Sequence, residues 1–333
     1  MSDGATIAPA RLARSNRGAS RVLHGGTAVS PRVPIALRSA EDMAGLRAAG
    51  ALVARALERA TDACVPGMTT GGLDALIRST IEAGGGSPVF LGYRGSRSSN
   101  MGERPPYPAS SCISVNDELV HGVPGGRVIR CGDVVSIDAG ARLDGWCADS
   151  AVSVCVGEVS PAACALVDCA EDMLSHAIAA IRPGVRWSTI ARELESIAAS
   201  RGMTVAVDFV GHGIGRDLHE PPQVPCSVYA SFLAGGDFTL RPGMVLAIEP
   251  MVVLEAPRRN DRGELVNPNV TLAGDGWTVM VDSRALSCHV EHTVAVTRDG
   301  SEVLTARRSV RTAAERSAVH PLHDPAPLAR RVG

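Results

Sequence analysis

Four carboxylates and one imidazole stand where a chain would ordinarily place only core. They are Asp138 in VVSIDAG, Asp149 in WCADSAV, His212 in VGHGIG, Glu249 in VLAIEPM and Glu291 in HVEHTVAV. A buried carboxylate is stable only when it is paired, hydrogen-bonded or bound to metal. Four of them cannot share one apolar sheet as anions without cations between them. One His and four Asp/Glu, with no Cys among them, form a hard, oxygen-rich donor set. Such a set suits two divalent metals bridged by carboxylates, an arrangement that activates water for hydrolysis.

The rest of the chain is compatible with a large core around that cluster. Of 333 residues, 45% are apolar and 20% charged, and the net charge of −2 gives no basis for general nucleic-acid binding. No apolar run reaches the roughly 18 residues of a membrane helix, and the N-terminus lacks the apolar segment of a signal peptide. Nine Cys without a C-x-x-C pair, among them Cys155, Cys164 and Cys169 in apolar contexts, are expected to be buried free thiols in a reducing cytoplasm. Every basic side chain is Arg, with no Lys.

Residues 1–38 read as a disordered, Arg-rich extension in which Arg11, Arg14, Arg17, Arg21 and Arg32 face the single acid Asp3. Its charge is suited to tether an anionic partner such as ribosomal RNA. Residues 306–333, with Arg307, Arg308, Arg311, Arg330 and Arg331 among Pro and Ala, read as a flexible tail, leaving 39–305 as the folded domain.

Within that domain, Ser39 and Asp42 predict a capping box opening a helix with Met43, Leu46, Leu52, Val53 and Leu57 on its apolar side. Pro66-Gly67 ends that segment, and Leu73, Leu76, Ile77 and Ile81 mark a second helix closed by Gly84 to Gly86. An internal repeat follows. The stretch from Pro66 resembles the one from Pro183, each a Pro-Gly turn, an amphipathic helix and a terminal Gly. RCGDVVSIDAG (from Arg130) matches RPGMVLAIEPM (from Arg241) at an offset of 241 − 130 = 111, placing Ile137 on Ile248 and Asp138 on Glu249. The pattern predicts duplicated helix–strand halves with acids at equivalent strand positions near a pseudo-twofold centre.

Asp144-Gly145 reads as a two-residue hairpin turn. With Leu143 opposite Trp146, Asp138 falls opposite Ala151, and Asp149 shares its face as a diagonal neighbour about 7 Å away; a one-residue bulge would reverse the parity. Glycines beside His212 allow close backbone approach and a bend or bulge. His219, followed by Glu220-Pro221-Pro222, and His121, followed by Gly122, are further candidate imidazoles. His176 lies on a predicted helix and is read as structural or exposed, while His24, His320 and His323 belong to the tails.

In combination, CISVNDELVHGVP, SIDAGARLDGWCADSA, GHGIGRDLHEPPQV, RPGMVLAIEPM and the segment from Asp275 to Thr297 resemble the type I methionine aminopeptidases of the pita-bread metallohydrolases, from about Ser39 to Thr305. The resemblance implies an α/β (α+β) pita-bread fold, its pseudo-twofold halves sharing a central antiparallel sheet with a dinuclear metal site. It implies that Asp138 binds one ion, that Asp149 and Glu291 bridge two, and that His212 and Glu249 hold the second, with Glu249 also taking a proton from the attacking water. His121 and His219 would contact the scissile amide and stabilise the tetrahedral intermediate. A methionine pocket is implied at Phe90, Tyr93, Tyr107, Cys112, Leu218 and Trp277, an apolar aromatic cup suited to a thioether. Phe90, Leu218 and Arg94 depart from common choices in the family, and the insertion SRSSNMGERPP between Gly95 and Tyr107 is expected to loop over the pocket mouth. The cofactor would be two divalent ions among Co, Mn, Fe, Zn and Ni. The substrates would be N-termini of nascent polypeptides with a small second residue, handled by a cytoplasmic monomer with no membrane partner.

Two rivals share the fold. Xaa-Pro aminopeptidases and prolidases resemble chains with a sizeable domain ahead of the catalytic one, whereas about 100 residues separate Ser39 from Asp138. Type II methionine aminopeptidases carry an insertion of about 60 residues between the His and Glu ligands, whereas here 249 − 212 = 37. A non-catalytic binding protein of the same fold is the third reading, and such proteins typically lose ligands.

Overall fold

The architecture follows from two helix pairs laid against one long antiparallel hairpin and its neighbours. A computed structural model describes residues 34–94 and 105–308. The Arg-rich arm through residue 33, the insertion through residue 104 and the tail beyond residue 308 lie outside the described residues.

Helix α1 (Ala40–Ala63) begins where the sequence predicts. The Ser39 hydroxyl accepts from the Asp42 amide at 3.2 Å, and the Asp42 carboxylate accepts from the Ser39 amide at 2.9 Å. Its stripe of Met43, Leu46, Leu52, Val53 and Leu57 is buried. Each fully buried Leu contributes about 1.5–3 kcal/mol by leaving water. Helix α2 (Thr70–Ala83) is capped by Thr69 and closed at Gly84. In the second half, α3 (Pro161–Ala180) starts after the Ser160 cap, with Pro161 at a first-turn position where no amide is needed, and α4 (Trp187–Ser200) follows.

The central sheet runs Ser87–Pro88, Val134–Leu143, Trp146–Cys155, Glu291–Val296, Val245–Ile248, Gly211–Gly213, Glu220–Val224, with Cys112–Val115 and Ser301–Val303 branching from it. Every pairing within it is antiparallel. The 134–155 hairpin keeps an unbroken register from Val134↔Cys155 to Leu143↔Trp146, with Asp138 opposite Ala151. Asp144 and Gly145 both take positive φ, 49° and 79°, as a two-residue turn matched to strand twist requires. The parity that puts Asp138 and Asp149 on one face therefore stands.

The duplication is visible in the backbone. Gly67 and Gly184, in the two Pro-Gly turns, have φ of 94° and 89°, and Gly132 and Gly243, 111 residues apart, have 95° and 93°. Each half closes with the same type of isolated bridge, Thr69 to Val128 and Arg186 to Thr239. One apolar cluster gathers α1, α2 and the hairpin; a second gathers α3, α4 and the strands around Leu246 and Val294.

Two ends of the fold reach beyond the limits read from composition. Ile35 packs on the second cluster and the Arg38 amide donates to the Gly243 carbonyl at 2.7 Å, although both fall within residues 1–38, which composition marks as an extension. Arg307, assigned to the tail, is bound to the sheet as described below.

Gly50 shows how tightly α1 seats. A Cβ there would lie 2.2 Å from the Leu304 carbonyl oxygen, a backbone atom. Helix propensity alone favours Ala over Gly by about 1 kcal/mol, but a contact this close forces the backbone apart, at a cost of about 1–3 kcal/mol. Gly50→Ala is therefore expected to lower the thermal midpoint, and a raised midpoint would refute this account of the α1 seat.

Candidate metal centre

The hairpin, the Glu291 strand and the His212 strand bring the acids together because each places its polar residue on the same side. Asp149 is 5% exposed, and its Oδ1 accepts from the Ser150 amide at 3.0 Å. Its backbone is fixed from the neighbouring strand: the Asp149 amide donates to Thr293 Oγ1 at 3.0 Å, and that hydroxyl donates to the Asp149 carbonyl at 2.7 Å.

His212 sits at an irregularity between two glycines, where the register to Glu220–Val224 shifts. A Cβ on Gly211 would lie 2.3 Å from the Ala247 carbonyl oxygen, and one on Gly213 2.2 Å from that of Pro221. The glycines let two neighbouring backbones close in, as the sequence suggests. The His212 Nδ1 lies 2.9 Å from the Gly213 carbonyl, so Nδ1–H donates there. Nε2 is left as the nitrogen with a lone pair, the tautomer of a metal-ligating imidazole. That Nε2 stands 3.6 Å from Glu249 Oε1. Ligand atoms of Asp149, His212 and Glu291 all lie within 4.8 Å of one another.

The electrostatics are those of four acids buried together. Burial, then repulsion from Asp149, pushes the carboxyls of Asp138, Glu249 and Glu291 well above the usual range, and burial pushes Asp149 up to about 7. Burial lowers His212 to about 3 and also lowers His219. Asp138 Oδ1 and Glu291 Oε1 are buried without a hydrogen-bond partner. Orphaned carboxylate oxygens beside a neutral imidazole fit a hard divalent cation.

The two accessory imidazoles flank this cluster. His219 stands with its ring centroid 4.2 Å from that of His212, and its Nδ1 is 2.9 Å from the Tyr93 hydroxyl. The loop before it is shaped by Glu220, whose Oε1 accepts from the amides of Arg216 and Asp217 at 2.7 and 3.2 Å, while its other oxygen pairs with Arg38. His121 takes φ of 59° and meets Trp277 and Phe209 edge-on. Gly122 beneath it admits the Ile113 carbonyl, which would lie 2.3 Å from a Cβ.

The predicted pocket residues share one apolar cluster but not one exposure. Tyr93, Leu218 and His219 line an open cleft of about 470 Å³ with Val89 and Arg142. Phe90, Tyr107, Cys112 and Trp277 are buried in the cluster behind it. Tyr107 donates its hydroxyl to the carbonyls of Ser111 and Gly122, each at 3.0 Å, and Trp277 donates Nε1 to Pro105 at 3.0 Å. Their polar atoms hold scaffold, and their rings pack edge to face with centroids 5.2 Å apart. Cys112 pairs across the sheet with Asp138. His176 lies apart, 2.8 Å from Glu193 on the outer helices. No disulfide links the nine Cys; Cys155 and Cys164 are only half-buried and Cys131 is exposed, so burial is less complete than their apolar contexts suggest.

Two residues at this centre escaped the sequence reading. His289 is 4% exposed and stands 3.6 Å from Glu249 Oε2. Arg307 reaches under the acids: Nη1 donates to Ser150 Oγ and Nη2 to the Ala151 carbonyl, each at 2.6 Å, while Ser150 Oγ donates to the Glu291 carbonyl at 2.6 Å. Strand parity was a signal for His289, two positions from Glu291. For Arg307 no local signal separates it from the Arg-rich stretch that follows.

A curled antiparallel sheet enclosing a buried acid–imidazole cluster, with two similar halves, defines a metallopeptidase of the pita-bread type. The chain belongs to metallopeptidase family M24, whose profile matches residues 44–298. It is 37% identical over 272 residues to a methionine aminopeptidase of Aquifex aeolicus, covering 81% of this chain and 98% of that one. It is 38% identical over 271 residues to methionine aminopeptidase 1 of Bacillus subtilis, covering 81% and 99%. The crystal structure of methionine aminopeptidase from Rickettsia prowazekii superposes with a TM-score of 0.71 at 32% identity, covering 82% of this chain and all of that one.

The raised carboxyl pKa values set the sign of two pH effects. A carboxyl that holds its proton in the folded state favours folding at low pH. The metal-free protein should therefore lose stability as pH climbs from about 4 towards the folded value of about 7 at Asp149. A cation must displace those protons, so affinity for Mn or Co is expected to rise between about pH 6 and 8. Calorimetry in buffers of different ionisation enthalpy should show net proton release near pH 6.5, and binding without it would contradict the protonated cluster.

Proposed function

We propose that this chain removes the initiator methionine from nascent polypeptides by metal-dependent hydrolysis of the first peptide bond. What carries the reading is the convergence of Asp138, Asp149, His212, Glu249 and Glu291 beside a cleft that also holds His219, in a chain similar over four-fifths of its length to methionine aminopeptidases. These five residues would hold two divalent ions, drawn from Mn, Fe, Co, Zn or Ni, since O/N donors follow metal availability as much as affinity. Asp138 would contribute to one ion, His212 and Glu249 to the other, and Asp149 and Glu291 to both. When bound, the ions lower the pKa of a water molecule and polarise the scissile carbonyl.

The protein's own groups do the remaining work. Glu249, kept basic once the counter-charge is present, takes the proton of the attacking water and returns it to the leaving amine. His219 and His121 donate hydrogen bonds to the amide and to the oxyanion that develops. Tyr93 holds the His219 ring through its Nδ1 and so leaves Nε2 facing the cleft. Phe90, Tyr93, Tyr107, Cys112, Leu218 and Trp277 grip the methionine side chain. The need for a neutral α-amine at the centre favours an exopeptidase. The protein acts as a monomer in the cytoplasm, where new N-termini emerge, and the Arg-rich arm tethers it to the ribosome.

A peptide Met-Ala-Ser should release methionine in the presence of Mn, Fe or Co. Absence of turnover with bound metal confirmed would sink the proposal, and efficient cleavage of Xaa-Pro dipeptides alone would favour a prolidase-like enzyme. Asp149→Asn, which keeps the shape but removes the anion, is expected to cost more than about 100-fold in kcat/KM together with metal content. His219→Ala and His121→Ala should each lower kcat by about 100-fold or more with metal content unchanged; loss of metal in either would reassign that residue to the ligand set.

A further inference from the structure

We propose that His289 is a sixth protein ligand of the dinuclear centre, a second imidazole on the ion held by His212 and Glu249; the inference rests on the dinuclear reading above. Its backbone is fixed on the floor of the acid cluster. The His289 amide donates to Ser136 Oγ at 3.1 Å and to Ser153 Oγ at 3.2 Å, and Ser153 Oγ is 2.9 Å from the His289 carbonyl. Those two serines face each other across the hairpin, on the face that carries Asp138 and Asp149. His289 pairs with Met251 at the end of strand Ser287–His289 and stands two residues before Glu291. Its side chain is thereby directed at the acids.

The geometry singles out Nε2. It is buried and has no hydrogen-bond partner. It lies 3.6 Å from Glu249 Oε2 and 4.0 Å from Glu291 Oε2. The other oxygen of the same Glu249 carboxylate lies 3.6 Å from His212 Nε2. The two imidazoles bracket one carboxylate at equal distance. Metal–nitrogen and metal–oxygen bonds of about 2.0–2.2 Å place two donors on one ion about 3–4 Å apart, the span these distances occupy. An unpartnered imidazole nitrogen between two carboxylates is otherwise a costly thing to bury.

The consequence is a nitrogen-richer second position. Imidazole suits Zn, Co, Fe and Ni, while an all-oxygen environment suits Mn. The wild-type protein should hold its second Co(II) or Zn(II) about 10–100-fold more tightly than His289→Gln, with a smaller change for Mn(II).

Proton NMR of the di-Co(II) protein tests the ligand count directly. An imidazole ligated through Nε2 keeps an exchangeable, strongly shifted N–H at Nδ1. The proposal expects two such resonances in the wild type, one in His289→Gln and one in His212→Gln. A single resonance in the wild type, lost only in His212→Gln, would overturn it even if His289→Gln were less active. Failure of the dinuclear reading would look different, as fewer than two Co(II) bound per wild-type chain by titration. Should His289→Gln melt early, His289→Asn and the wild-type spectrum still decide the count.

Discussion

The structure depends on the cost of keeping four carboxyls out of water within one small volume. Lost hydration and Coulomb repulsion act in the same direction on Asp138, Glu249 and Glu291, raising their carboxyls well above the usual range, while burial raises Asp149. Removing one partner from a buried charged group costs about 3–5 kcal/mol, so the arrangement cannot be left to flexible side chains. The fold answers with backbone restraint. Thr293 both accepts from and donates to the Asp149 main chain, and Arg307 ties Ser150 and Ala151 to the underside of the Glu291 strand. Arg307 brings a buried positive charge to this face and lowers the proton affinity of Glu291, opposing part of the repulsion.

Duplication explains how one centre comes to be assembled from distant segments. Each half supplies a Pro-Gly turn, a helix and a strand with an acid at the equivalent position, Asp138 or Glu249, and the positive-φ glycines recur 111 residues apart at Gly132 and Gly243. The Glu291 strand, pairing with the Asp149 strand on one side and with Val245–Ile248 on the other, joins the halves. The acids of both halves therefore face one another across a seam, and neither half contains a complete donor set.

What could be read from the sequence was what local chemistry specifies. The Ser39 capping box, the Asp144-Gly145 turn and the hairpin register all follow from residues within a few positions of each other, and each holds in the structure. The acids were legible because charge inside apolar strands is anomalous wherever the strands go. His289 was not, because an imidazole between Cys288 and Val290 is an ordinary core residue until its distance from Glu249 is known. Arg307 was hidden by its company, since composition averages over a window while one guanidinium can bind alone. The pocket lies between these cases. Tyr93 and Leu218 reach the cleft, whereas the hydroxyl of Tyr107 and the indole N–H of Trp277 are engaged by main-chain carbonyls that sequence does not reveal.

The Thr293 clamp on Asp149 has a temporal side. The two residues are 144 positions apart in the chain, so the hairpin that carries Asp138 and Asp149 emerges from synthesis long before the strand that steadies it. Contacts of such separation form late and slowly. The Thr293 clamp and the burial of the Asp149 carboxyl both require the Glu291 strand to be paired with the hairpin, so closing this part of the sheet and sequestering the acids are one and the same packing event.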